Sequence, residues 1–210
     1  FSETARSFLL ITSEFPSAIL ITAATQSVDS VDLMKVAKQA TGTIDLLADA
    51  VMQPAGKYAV DGPNIAFTYS GKQLRVSPRP YLLGKHTGAE LLAHSPAYVR
   101  KANAYTPDAA ILKRLKAQKE PVRILTFFGS WCPHCSAHVP LLLKVEQGLA
   151  GSKIQFEYLG MPKGPAFGEV PEGKQYKVTG VPTAILFRGD REIGRIPNSG
   201  WSNPEVAIDL

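Results

Sequence analysis

The chain has 210 residues, 45% of them hydrophobic and 20% charged, an ordinary globular composition that excludes extensive disorder and allows one large domain or two small ones. Its net charge of +5 comes from 23 basic and 18 acidic residues spread along the chain. The one basic cluster, Leu112 to Lys119, has no interleaved aromatic residues and reads as a solvated helix face, not a nucleic-acid site.

The elements are taken from the N-terminus. The chain starts at Phe1 rather than Met, which fits removal of a secretory signal. The longest apolar stretch, residues 7 to 24, is interrupted by Glu14 and Pro16 and falls short of the roughly 18 apolar residues that a membrane helix needs. Phe8 to Ile11 and Ala18 to Ile21 are therefore expected as two short strands around a turn. A helical stretch is expected from about Asp29 to Gln53, broken at Thr41-Gly42-Thr43. Ile65, Phe67 and Tyr69 alternate, as do Leu74 and Val76, around Ser70-Gly71, a hairpin pattern. Gly88 to Tyr105 reads as helix, bent or divided at Pro96. Residues 1–105 are thus expected to form a small α+β domain without a chemical motif.

Residues 106–210 give clearer signals. Thr106 is a candidate helix cap, with Pro107 at the first helical position, Asp108 in the first turn, an apolar stripe of Ile111, Leu112 and Leu115, and a stop at Pro121. Val122 to Phe128 is a run of β-branched and aromatic residues expected of a strand buried on both faces. Gly129 and Ser130 release the chain into a helix carrying Leu141, Leu142, Leu143 and Val145 and ending near Gly148 or Gly151. Strands are expected at 153–160 and 183–188, the latter turning at Gly189-Asp190 into a further strand. Glycine and proline make 160–178 an irregular loop with at most a short helix near Lys174 to Lys177. The fold class is α/β, a mixed sheet flanked by helices.

Both cysteines lie in one stretch, Phe127 to Pro140, "FFGSWCPHCSAHVP". Covalent haem attachment needs a histidine directly after Cys-x-x-Cys, and Ser136 stands there. Metal binding, as in a copper chaperone, has four possible ligands in Cys132, His134, Cys135 and His138. At a helix start, however, His134 turns away from an ion held by both sulfurs, and the second ligand pair of a structural zinc site is missing. A structural disulfide across so short a loop would stabilise little. A redox dithiol needs its first cysteine at a helix N-terminus, where unpaired N–H groups and the helix dipole favour thiolate, and its second one turn on to resolve a mixed disulfide. "GSWCPHC" between a buried strand and a helix offers both. No other cysteine is present, a pattern that suits passage through an oxidising compartment and equally a cytosolic redox protein.

Residues 107 to 200 resemble a thioredoxin-fold domain, on the strength of "ILTFFGSW", "WCPHC", Pro140 five residues after Cys135, and "VTGVPTAILF". The resemblance implies a thiol:disulfide oxidoreductase with Cys132 and Cys135 as the reacting pair and a cis-proline, Pro182, opposite them. It further implies Trp131 covering one side and Val181 pairing with an extended substrate. No cofactor or metal is implied; the partners are protein thiols or disulfides and a redox partner that reloads the dithiol. Two features depart from thioredoxin. Thr126 stands where thioredoxins carry a buried aspartate, so the proton relay is absent, runs through water, or passes to another acid such as Glu157. The dipeptide is Pro-His, as in the periplasmic oxidant DsbA, yet the spacing from Cys132 to Pro182, 182 − 132 = 50 positions, is too short for the helical insertion of that family. The chain is therefore similar to a thioredoxin or a TlpA-type oxidoreductase, exported or periplasmic, with His134 favouring the thiolate. His138 is expected on the exposed helix face, His86 and His94 in structural or surface roles. For residues 1–105, partner recognition, covering of the site and dimerisation are all open.

Overall fold

The computed structural model describes residues 6–39 and 44–209. They divide into two compact units, residues 1–80 and 81–210.

The described part of the first unit is β-structure with a single 3-10 turn. Strands β1 (Ser7–Leu10), β2 (Ser17–Thr22) and β3 (Ser27–Asp32) run antiparallel in sequence, and β4 (Val36–Lys38) pairs with β5 (Ile44–Leu46) as a short ribbon. β6 (Met52–Lys57) completes the first sheet at the edge of β3. β7 (Ala59–Asp61), β8 (Asn64–Tyr69) and β9 (Lys72–Val76) form a second sheet, with the turn at Ser70-Gly71 as the alternation predicts. Ile19, Ile21 and Val28 of one sheet bury against Phe67 and Tyr69 of the other.

The helix expected over Asp29 to Gln53 is not formed in the described residues; its expected break at 41–43 lies outside them. Val28 and Val31 are β-branched and are buried by pairing with β2, and Asp32 turns its carboxylate onto the Met34 N–H at 2.9 Å. A spacing of three between Val31 and Met34 imitates a helix stripe, but Met34 is exposed. Pairing to a neighbouring strand has overridden local propensity.

The second unit opens with β10 (Gly84–His86), then helices α1 (Gly88–His94), α2 (Pro96–Ala104) and α3 (Ala109–Lys116). Then follow β11 (Val122–Phe128), α4 (Pro133–Gly148), β12 (Ile154–Gly160), α5 (Pro171–Gln175), β13 (Thr183–Arg188), β14 (Arg191–Arg195) and α6 (Pro204–Ile208). The sheet order is β10-β12-β11-β13-β14; β11 and β12 are parallel and the other pairs antiparallel. The sheet has two buried faces. Val122, Ile124 and Phe128 join the core under α4, while Leu125 and Phe127 join a second cluster with Met161, Val178 and Phe187, covered by Phe167, Val170 and Tyr176 from the loop and α5. That two-sided burial is why β11 is continuously apolar.

The division falls at Pro80–Tyr81, not near residue 105, because α1 and α2 belong to the second core. Leu91 and Tyr98 are buried in one cluster with Val139, Leu142 and Leu143 of α4. The α+β character expected of the N-terminal part came from those helices and from the helix expected over Asp29 to Gln53, which is not formed in the described residues. At α3 the cap is Asp108, not Thr106: its carboxylate accepts from the Ala110 and Ile111 N–H groups at 2.8 and 3.1 Å, two donors where a hydroxyl would satisfy one.

Candidate active site

Strand β11 ends on Phe128, and four residues later Cys132 takes the cap position of α4 with extended backbone, φ −90° and ψ 124°. Pro133 occupies the first helical position, where a missing N–H costs nothing. Gly129 braces both cysteines: its carbonyl accepts the Cys132 N–H at 2.9 Å, and its own N–H donates to Cys135 Sγ at 3.3 Å. A methyl group on Gly129 would lie 2.7 Å from the Trp131 ring, so the close approach requires glycine.

The two thiols are both free and differ in environment. Cys132 keeps 7% of its surface exposed, and its thiol donates to the Val181 carbonyl at 3.6 Å. Cys135 has no exposed surface. Burial pushes its thiol well above the ordinary range, and the Gly129 N–H offsets this only in part. The Val181–Pro182 peptide is cis. Trp131 is half-buried and fixed by its indole N–H, which donates to the Met161 carbonyl at 2.8 Å.

Past Cys132, α4 has a gap in its own ladder. Pro140 has no N–H for the Ser136 carbonyl, and Lys101 Nζ of α2 donates to that carbonyl instead, at 2.8 Å. His134 is exposed and makes no hydrogen bond with Cys132 among the described residues. Its ring stacks on that of His138, 10° from parallel with centroids 6.5 Å apart. His138 is therefore not on an exposed face: it is half-buried, its Nδ1 is buried without a partner, and both histidines line a groove with Val181, Pro182, Asn198 and Trp201. The reason is helical spacing, since i and i+4 share one side and His134 already faces the cis-proline loop.

Thr126 is fully buried on the α4 side of β11 and its hydroxyl has no partner. Glu157 does not replace the missing acid: it pairs in register with Leu125, which joins the core on the other face, and it holds Arg123 at 3.2 Å in an exposed ion pair. His86 is structural, with Nε2 on the Leu83 carbonyl and its ring edge-on to Phe128.

Three neighbours of the site escaped the sequence reading. Tyr98 of α2 is buried in the cluster that holds Cys132 and Cys135, with an unpartnered hydroxyl whose acidity is suppressed first by burial and then by the two sulfurs. Its spacing from Ala102 marks a buried stripe but not what the stripe meets. Asn198 and Trp201 reach the groove from a 3-10 turn too short to carry a pattern.

Residues 104–202 match the family model described as thioredoxin. The matched segment has a thioredoxin-like fold. Among solved structures, mitochondrial thioredoxin 3 from Saccharomyces cerevisiae is 22% identical, with 52% of this chain and 99% of that one covered and a TM-score of 0.34. Thioredoxin f2 from Chlamydomonas reinhardtii is 20% identical over 43% and 78%, with a TM-score of 0.29. A thioredoxin from Trypanosoma brucei brucei is 9% identical over 49% and 84%, with a TM-score of 0.31. The family match begins after β10, α1 and most of α2; β10 extends the same sheet at β12, and Leu91 of α1 and Tyr98 of α2 join the core under α4.

Proposed function

We propose that the protein is a thiol:disulfide oxidoreductase acting on protein substrates through Cys132 and Cys135. The observation that carries this is the contrast between the two sulfurs: one at a helix cap beside the cis-proline loop, the other a turn inside and held protonated by burial. Cys132 as thiolate attacks a substrate disulfide; a Cys132–substrate S–S bond forms, the substrate S–S bond breaks, and the departing sulfur takes up a proton. Cys135 then gives up its proton and attacks Cys132 Sγ, releasing the second substrate thiol. Two electrons have passed to the substrate and the protein holds a Cys132–Cys135 disulfide, which an external dithiol reduces. Run backwards, the same atoms oxidise a substrate dithiol; the partner that reloads the pair sets the direction. Trp131, Val181 and Pro182 frame the approach of an extended substrate segment.

An exported, periplasmic setting, with a membrane-associated redox partner, is part of the same proposal. It is supported by the absence of any cysteine outside the motif. Metal binding is disfavoured because no group of three or more His, Cys, Asp or Glu side chains stands ready to hold an ion among the described residues.

The test is chemical trapping. With a disulfide-bonded protein substrate, Cys135→Ser should accumulate a mixed disulfide through Cys132, and Cys132→Ser should neither trap nor turn over substrate. Turnover surviving in Cys132→Ser, or tight stoichiometric metal binding lost in that variant together with no exchange activity in the parent, would sink the reading.

A further inference from the structure

The groove beside the dithiol has a volume of about 570 Å³, and its walls are His134 and His138 of α4, residues 179–183 of the cis-proline loop, Asn198 and Trp201. None of these wall residues carries a carboxylate. On α4 and the elements packed against it the carboxylates are already engaged: Glu90 of α1 accepts from the Thr87 N–H and hydroxyl at 2.7 and 2.9 Å, and Glu146 of α4 accepts from the Tyr158 hydroxyl at 2.8 Å. Lys101 of α2 is cationic and held by the Ser136 carbonyl. Tyr98 of α2 keeps its proton because burial pushes it up. Glu205 of α6 is engaged by the Tyr105 hydroxyl at 2.6 Å and the Asp108 N–H at 3.1 Å. Cys132 faces the Val181 carbonyl.

Two imidazoles have therefore been brought into parallel at 6.5 Å, and neither has a carboxylate partner among the described residues. The inner ring has also given up hydration at Nδ1 without gaining a partner, a loss that a native structure does not usually accept for no return. A ligand carboxylate in the groove supplies the missing countercharge, because a charged imidazole donates its N–H groups and an ionised carboxylate only accepts.

Resting on the dithiol reading above, we propose that this groove is an acid-recognising subsite, which selects substrates with an aspartate or glutamate beside the reacting cysteine. An extended segment lying along Val181 and Pro182 directs one neighbouring side chain across the groove to His134 and His138. A metal ion is a poorer occupant: the two rings supply two ligands, and no third metal-binding side chain completes a set among the described residues.

The sign of the pH dependence follows from general titration ranges. Histidine side chains gain charge as pH falls through about 6.5, whereas carboxylates stay ionised down to about 4. A cationic imidazole favours an acidic substrate, so the preference is expected to be greater at pH 6 than at pH 8. Loss of Cys132 thiolate at low pH slows all substrates alike and cancels in a ratio of kcat/KM.

The experiment uses the whole chain and three disulfide peptides that differ only in Glu, Gln or Lys next to the cysteine. The expected result is a Glu over Lys preference in kcat/KM of about tenfold at pH 6, shrinking to about twofold or less at pH 8. His138→Asn should reduce the pH 6 preference most, and His134→Gln, whose exposed position cannot threaten folding, should reduce it in part. The Gln peptide reports any change in the dithiol itself, so each preference is read as a ratio to Gln-peptide kcat/KM in the same variant. Equal kcat/KM for Glu and Lys peptides at pH 6, with the Gln peptide turned over normally, overturns the subsite and leaves the dithiol reading standing. A second measurement removes the chemistry: equilibrium binding of the S-methylated peptides to Cys132→Ala should follow the same order, Glu above Gln above Lys at pH 6. If no peptide is turned over yet this order holds, the dithiol reading fails and the subsite stands; if the order is absent, the subsite fails.

Discussion

Cys135 is fully buried in the cluster that holds Tyr98, and its sulfur accepts from the Gly129 N–H. Its proton is therefore retained in the folded, reduced protein, while an unfolded cysteine loses its own near pH 8.5. The folded-state value is raised, so the stability this group contributes is complete below about pH 8.5 and is lost as pH rises further, by up to about 1.4 kcal/mol per pH unit. Urea unfolding of the reduced protein between pH 8 and 10 measures that slope, and Cys135→Ala should lack it; equal slopes would contradict a buried, protonated thiol. His134 acts differently. Exposed and without a hydrogen bond to Cys132, it influences the thiolate only through space, so His134→Gly should make the dithiol more reducing by about 10–30 mV at pH 6. A glutathione-buffered potential that stays put or moves the other way refutes the role. The cysteines were legible in the sequence because their chemistry depends on spacing along one helix. His138 was not, because which face of α4 meets the cis-proline loop is decided by a segment more than forty residues away.

Among elements, α4 shows how a break in one helix is repaired by another. Lys101 supplies to the Ser136 carbonyl the donor that Pro140 lacks. Lys101→Met should destabilise the domain by about 1 kcal/mol, since the carbonyl is left to whatever water can reach it. In a Pro140→Ala background, where a backbone N–H returns, the same change should cost less, and a double-mutant cycle in urea reads the difference. Additive effects would mean that the lysine acts on something else. Continuous apolar runs and proline positions made β11, β13 and α4 readable from sequence, because each depends on its own residues and little else. The stretch from Ser27 to Lys57 failed for the opposite reason: β6 is exposed along its length, β3 buries only Val28 and Val31, and both owe their form to pairing, which no local period records.

For the whole molecule, the position of the division matters to any attempt to isolate the thioredoxin domain. A fragment of residues 81–210 retains β10, α1 and α2 and should unfold cooperatively and keep exchange activity. A fragment of residues 106–210 loses Leu91 and Tyr98 from the core and the strand paired with β12, a deficit on the order of 5 kcal/mol or more, and should be unfolded or molten. Thermal unfolding of the two fragments distinguishes them, and equal stability would show that the added helices are ornament. The boundary was hard to see in sequence because α1 and α2 carry ordinary amphipathic patterns that say they pack, without saying on what.

Gly129 has an implication for how such a protein fails. It performs no chemistry, yet an added methyl meets the Trp131 ring, and Trp131 in turn holds the loop at Met161. A search for inactivating mutations would place Gly129→Ala beside the two cysteines, in a protein still folded and still bearing both thiols. The inventory of positions intolerant to change is thus wider than the inventory of reacting atoms, and the extra member is the residue with no side chain to lose.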